Sequence, residues 1–348
     1  MTKQNRFVPF SEIIGQERAI QFLKQAMARE RMPHAYLFVG IHGVGKTATA
    51  MALTQAVNCL EPVKEEGCGH CRSCRQILGG NFPDLFTVNP DGQFIKIEQI
   101  RELNHSFSFK PVSGRYRVSI IRQAESMTEE AANSFLKTLE EPPEGNILIL
   151  NVTEPLDLLP TIVSRCQKVS FRPIPAPLLT KWLIDHKQAT EAKAEVLARI
   201  SEGSLGKALE MEDEGFFQRR QDYVSQLQSL PKLSPVELLN MAMTLSGKGK
   251  RKASEAQVKG GAGLIGPLDI WKTCYRDLLL LKMGCREERL INIDYSDQLK
   301  KLSENYRMHA LIQCIMHLDR AQREVSRGRN LDLLMENTVL TLRKLAGQ

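Results

Sequence analysis

Gly40, Gly43, Gly45, Lys46 and Thr47 stand in the run Gly40-Ile-His-Gly-Val-Gly-Lys-Thr47. This is the spacing Gly-x-x-x-x-Gly-Lys-Thr, a loop whose backbone N–H groups converge on a chain of phosphates. The lysine reaches the β- and γ-phosphates and the hydroxyl sits on Mg²⁺, so ATP or ADP is the expected ligand class. A second constellation follows at once: Cys59, Cys68, Cys71 and Cys74, spaced Cys-x8-Cys-x2-Cys-x2-Cys. Each Cys-x2-Cys turn directs two thiolates at one ion. Four thiolates close a tetrahedral Zn²⁺ site with no open position, which makes the expected metal structural rather than catalytic. His70 lies between two better-spaced ligands and is the alternative donor. Thioredoxin-like redox chemistry uses one Cys-x-x-Cys pair rather than a cluster.

Hydrolysis needs more than the loop. In P-loop ATPases a second strand ends in an aspartate that helps to hold Mg²⁺, and in the mechanoenzymes an adjacent glutamate activates the attacking water. Here the apolar run 118–121 leads into Arg122-Gln123. A guanidinium repels the metal and an amide takes no proton; losing a general base alone forfeits about 10²–10⁴ in rate. Glu125 would substitute if the strand ran longer, but its expected place is facing solvent at the start of the next turn. The chain is therefore expected to hold a nucleotide without hydrolysing it, and to hold Mg²⁺ poorly.

These groups need a scaffold, and the pattern supplies one. Strand-like runs at 36–39, 85–88, 118–121, 147–152 and 169–171 alternate with helix-like segments at 16–30, 47–57, 97–107 and 128–139. Such alternation predicts an α/β fold with a parallel sheet covered on both faces. Pro173, Pro175 and Pro177 break the chain. Beyond them the reading is helical: a small unit at 178–186, 192–200 and 207–211, with a turn at Glu202-Gly203-Ser204, then longer helices from Glu214. The expected domains are 1–172, 173–213 and 214–348. The lysine- and glycine-rich stretch 246–266 reads as a flexible connection, with a DNA-touching finger as the alternative.

With 348 residues, 42% hydrophobic and 25% charged, the composition is that of a globular protein with ample core. A net charge of +7 permits contact with nucleic acid without arguing for it. No apolar stretch is long enough for a membrane span, and residues 1–6 lead to no apolar signal core. The expectation is a cytoplasmic protein, whose eight cysteines are metal ligands or thiols rather than disulfides. Cys274, Cys285 and Cys314 are expected in helices, as core residues.

Four further runs carry a family resemblance: Phe10-Ser-Glu-Ile-Ile-Gly15-Gln16, Pro33-His-Ala-Tyr-Leu-Phe38, Leu136-Lys-Thr-Leu-Glu-Glu-Pro-Pro143 and Ser164-Arg165-Cys166. With the phosphate loop and the four-cysteine insertion, they make the chain resemble delta-prime subunits of bacterial DNA polymerase III clamp loaders, in the AAA+ superfamily. The match covers about the first 210 residues and is weak beyond, where Trp271-Lys-Thr-Cys-Tyr-Arg-Asp-Leu-Leu carries it. The resemblance implies an AAA+ nucleotide-binding domain, a helical lid and a helical collar that joins a ring with tau/gamma ATPase subunits and a delta subunit. It implies work on the sliding clamp and primed DNA as a component of the DNA-directed DNA polymerase holoenzyme. By the same carry-over Arg165 is a finger inserted into a neighbour's ATP site, and Thr153 is the residue that senses the γ-phosphate. The lid arginine of active relatives falls at Gly206, beside Lys207.

That departure, with Arg122-Gln123, favours a stator over a motor. The alternative is an active ATPase of the tau/gamma type, rescued by Glu125 or another acid. A zinc-bearing, sequence-specific nucleic-acid binder would need a basic reading helix after the cysteine cluster, and none is expected there.

Overall fold

The computed structural model describes residues 8–107, 109–212, 215–246, 266–326 and 329–346. Most of the lysine- and glycine-rich stretch read from the sequence lies outside them. The chain divides into two compact units: one runs to Leu179 and takes in Gly203–Gly206, and the other comprises Thr180–Glu202 and the residues from Lys207 onward.

The first unit is built on five parallel strands, β1 (Ala35–Val39), β2 (Leu85–Val88), β3 (Arg117–Ile121), β4 (Asn146–Val152) and β5 (Gln167–Ser170), in the order β2-β3-β4-β1-β5. Its helices are α1 (Glu17–Ala28), α2 (Lys46–Asn58), α3 (Arg72–Leu78), α4 (Ile97–Phe107), α5 (Glu129–Glu140) and the short α6 (Pro160–Val163). Strands β3 and β4 are buried along their whole length. That is why they read as mainly apolar runs, interrupted by Ser119 and Asn151, rather than as alternation. Ala35, Leu37, Leu148, Leu150 and Val152 pack on one face against Ile100, Leu103 and Phe107 of α4 and Ala131, Phe135 and Leu139 of α5.

Helix α2 has Thr49, Ala50, Ala52, Leu53, Thr54, Gln55, Ala56 and Asn58 all buried. Its small side chains let it lie close to its neighbours, and Thr54 Oγ1 returns its proton to Ala50 O at 2.8 Å. The last strand differs from expectation. It runs Gln167–Ser170 rather than 169–171. At the sheet edge only Val169 is buried, so three of its four residues give no apolar signal. Phe171 nevertheless continues the ladder for one bond, its N–H donating to Val39 O at 2.7 Å.

Strand order places the site. After β1 the chain crosses to the far edge at β2, steps back through β3 to β4 beside β1, and ends on β1's other side. The carboxyl end of β1 is thus a point where the winding reverses, and ligands of open α/β sheets bind outside such ends.

Helix α7 (Ala176–Lys187) leads from the first unit into the second, and α9 (Leu205–Glu210), after α8 (Glu191–Ile200), again spans the division. The second unit continues with α10 (Phe216–Ser229), α11 (Pro235–Leu245), α12 (Pro267–Lys282), α13 (Ser296–Ser303), α14 (Met308–Ser326) and α15 (Leu331–Ala346). Helix α12 is its axis. Trp271 is fully buried, with its indole N–H donating to Tyr223 O at 2.8 Å. Asp277, also fully buried, accepts the N–H groups of Ile291 and Asn292 at 3.0 and 2.7 Å. Cys274 and Cys314 are core residues, as expected. Cys285 is not: it lies half-buried beyond the end of α12. Gly284 takes φ 71° there, and the N–H of Cys285 bonds back to Leu280 O, a left-handed stop that ends the helix before the cysteine. No helix among the described residues is long and apolar enough to cross a membrane.

Candidate nucleotide and metal sites

The loop 40–45 connects β1 to α2, and Gly45, at φ 111° and ψ 3°, is the left-handed residue from which α2 starts. Lys46 is only 7% exposed. Its ammonium donates to Gly40 O and, at 3.0 Å, to Ile41 O, so it is turned onto the loop's own carbonyls. Burial pushes its pKa down to about 8, while the nearby Glu125 carboxylate pulls the other way. Burial and the Lys46 charge also hold His42 below its usual value.

Gln16 clamps the loop from behind. Its amide donates to Val44 O at 3.4 Å and Arg172 O at 2.8 Å and accepts the Arg172 N–H at 3.0 Å. That gives a physical reason for a glutamine in the Gly15-Gln16 run. On the loop's outer side the Gly206 N–H donates to Gly43 O at 2.9 Å. A Cβ on Gly206 would stand 2.8 Å from Gly43 Cα, so a backbone contact fills the place where active relatives are expected to carry an arginine.

The acid position departs from the sequence reading. Strand β3 ends at Ile121, opposite Leu150, and leaves β4 projecting beyond it. Arg122 is exposed. Gln123 then takes a left-handed conformation, φ 51° and ψ 54°, and its side-chain nitrogen lies 3.4 Å from His42 Nε2. This is a strained choice for a non-glycine residue, and it turns the chain back toward the sheet end. Glu125 was expected to face solvent; it does not. It is half-buried, and its Oε1 accepts from Thr153 N at 3.2 Å and Thr153 Oγ1 at 3.0 Å. Its Oε2 is buried without a partner.

Asn151 completes the region and escaped the sequence reading. It is 3% exposed, its Nδ2 donates to Thr47 Oγ1 at 3.2 Å, and its Oδ1 is buried and unpaired. The polar break in the apolar run 147–152 was the available signal.

The cysteines converge as their spacing predicts. Cys59, Cys68, Cys71 and Cys74 place their sulfurs within 4.8 Å of one another, with Cys59 and Cys71 at 3.9 Å and no disulfide. Sulfurs about 2.3 Å from a tetrahedral zinc stand about 3.8 Å apart, so the donor set fits the ion. Backbone N–H groups of Cys68, Cys71 and Cys74 donate to the sulfurs of Cys59, Cys68 and Cys71 at 3.2, 3.2 and 3.5 Å. Burial raises Cys71, but the N–H groups of Cys74 and Leu60 and the adjoining thiols outweigh it and bring its pKa down to about 6. Cys71 also caps α3, a helix the sequence reading missed. This helix contains the fourth cysteine, Cys74, and exposes Arg72 and Arg75. Two basic residues on seven do not form a groove-reading stripe. His70 stands outside the cluster, bonded to Glu61 Oε2 at 3.2 Å and exposed.

Arg165 follows α6 on the surface, its side chain 35% exposed and bonded to Glu140 Oε1 at 2.8 Å and Thr161 O at 2.9 Å. The intramolecular ion pair is present, but it joins two accessible groups.

Family comparison agrees with this architecture. A model for the DNA polymerase III delta subunit matches residues 15–175, and one for the C-terminal part of that subunit matches 258–344. The DNA polymerase III subunit delta' of Bacillus subtilis is 30% identical over 330 residues, covering 94% of this chain and 96% of that protein. The chain belongs to the delta-prime family of DNA polymerase III subunits.

Delta-prime proteins are not its sole relatives. Subunit tau of Bacillus subtilis is 29% identical over 91% of this chain, which spans 58% of tau's length. A gamma subunit-related protein of known structure from Thermotoga maritima aligns with 94% of the chain at 19% identity and a TM-score of 0.47. Within the delta-prime family this chain carries a complete phosphate loop and, among the described residues, a closed four-thiol cluster.

Proposed function

We propose that the chain is a clamp-loader subunit that holds nucleotide without hydrolysing it and acts as a stator, lending Arg165 to the ATP site of a neighbouring tau/gamma subunit. Its partners are tau/gamma and delta; the complex brings it to the sliding clamp and primed DNA, in the cytoplasm. The α/β domain 1–172 holds the nucleotide through Gly40, Gly43, Gly45, Lys46 and Thr47, with Thr153 beside the γ-phosphate. Residues 173–213 are the lid and 214–348 the collar. Zinc on Cys59, Cys68, Cys71 and Cys74 is structural.

One observation carries the stator reading: where a motor places an acid pair, this chain has an exposed Arg122 and a Gln123 turned toward His42. Neither can take a proton from water. The accessible Arg165 supports the second half, since a guanidinium supplied in trans acts on the equatorial oxygens of the transferring phosphoryl group. The ATPase alternative draws on Glu125, whose carboxylate is turned inward.

The test has two arms. The isolated chain is expected to show no ATP turnover that Lys46→Ala removes; such turnover overturns the stator. In the assembled complex, Arg165→Ala is expected to leave assembly intact and lower turnover by about 10³–10⁵ at the site it serves. Unchanged turnover removes the finger.

A further inference from the structure

Two buried oxygens at the end of the sheet have nothing to bond: Glu125 Oε2 and Asn151 Oδ1. Buried polar atoms are almost always paired, and an orphan calls for a ligand, water or ion. These two flank the same strand end. Asn151 lies in β4, and Thr153 follows two residues later, just past the strand's end at Val152. Asn151 touches Thr47 Oγ1 and Thr153 holds Glu125. A hydroxyl, an amide oxygen and a carboxylate are therefore gathered at the end of β4 next to the phosphate loop, with Lys46 close enough for Glu125 to act on its charge.

We propose that Thr47 Oγ1, Asn151 Oδ1 and Glu125 Oε2 form a re-sited divalent-cation cradle, taking Mg²⁺ or Mn²⁺ together with a nucleoside diphosphate or triphosphate. It rests on the phosphate-loop reading above and goes beyond it, because the cation is held without the missing strand-end acid. The chemistry fits a hard ion: all three donors are oxygens. Mg²⁺ normally keeps several waters and needs only one or two carboxylates besides the phosphates.

The geometry also explains why Glu125 lies inward. The left-handed Gln123 spends backbone strain to turn the chain, and Thr153 fixes one carboxylate oxygen with two donors, leaving the other aimed and empty-handed. Glu125 here holds a metal rather than activating water. Metal binding and non-hydrolysis are thus compatible in one site.

The experiment titrates fluorescent ADP into the full chain with and without Mg²⁺, and Mn²⁺ alone by electron paramagnetic resonance. Wild type, Glu125→Gln and Asn151→Ala are compared, with thermal melts to check folding. Wild type is expected to bind ADP about tenfold or more tightly with Mg²⁺. Glu125→Gln should lose that increment, and Asn151→Ala should lose part of it. An equal Mg²⁺ increment in wild type and Glu125→Gln overturns the cradle, as does ADP binding indifferent to Mg²⁺. If ADP does not bind at all, the phosphate-loop reading fails. The cradle then stands or falls on Mn²⁺ alone: binding by wild type and not by Glu125→Gln keeps it, and absence of binding by wild type removes it.

Discussion

Asp84 is a buried carboxylate on which the fold places a heavy electrostatic demand. It is fully buried, accepts the N–H groups of Val112, Ser113 and Gly114 at 2.6–3.0 Å, and pairs with Arg117 at 3.1 Å, itself 4% exposed on the side chain. Burial alone would raise its carboxyl; the N–H groups of Ser113, Val112 and Gly114, with the Arg117 guanidinium, hold it below the usual carboxylate range. A carboxyl lowered in the folded state contributes stability that is fully present above its unfolded value and is lost as pH falls through its folded value. Asp84→Asn should therefore cost about 3 kcal/mol at neutral pH, as removal of one member of a buried pair does. The deficit should shrink below about pH 4, read from urea melts across that range. A deficit independent of pH would mean the loss is steric. Nothing in the sequence singled out this pair. Asp84 and Arg117 are 33 apart in the chain, and only the pairing of β2 with β3 unites them. Lys46 and Thr47 were legible because their spacing is local. Glu125 was misread because one left-handed residue, Gln123, decides its direction.

At the scale of elements, the cysteine loop is the piece most dependent on something other than packing. Between α2 and α3 it exposes Leu60 and Val63, so apolar burial holds it weakly. A cross-link closing about 15 residues is worth about 3 kcal/mol. For a unit of this size, each kcal/mol moves Tm by about 2–4 °C. The purified chain should contain one equivalent of zinc. Cys71→Ser with Cys74→Ser, or a strong chelator, should lower Tm by about 6–12 °C. Elemental analysis and differential scanning check this, and zinc-free protein with freely reacting thiols would contradict it. The same loop marks the limit of the pattern reading. Strands β1, β3 and β4 were found because central parallel strands, buried on both faces, are mostly apolar. Helix α3 was missed because its seven residues are too short for periodicity, and its start is signalled by Cys71 in a capping role. Edge strand β5 was shifted because its exposed residues carry no alternation long enough to read.

For the whole molecule, assembly is the remaining demand, and α14 offers the means. Ala310, Leu311, Cys314, Leu318 and Ala321 form its buried face. Met308, Ile312 and Met316, four residues apart, lie on another face and are 45%, 42% and 67% exposed. Side chains at that spacing stack on one side of a helix, so the three make a continuous apolar stripe rather than scattered exposure, and such stripes mark interaction surfaces. In the proposed collar of a ring, this stripe would meet a neighbouring subunit. Replacing Ile312 with Lys and Met316 with Glu puts two charges into that contact at positions outside the buried face. The isolated chain should unfold within about 0.5 kcal/mol of wild type, as surface substitutions do. Its association with tau/gamma and delta should weaken by more than tenfold, the cost of losing interface anchors of about 2 kcal/mol. Sedimentation of the mixed subunits reads the second quantity and a denaturant melt the first. Undiminished association by a folded double variant would move the ring contact to another face of the collar, whereas loss of folding would show that the stripe is supported from within.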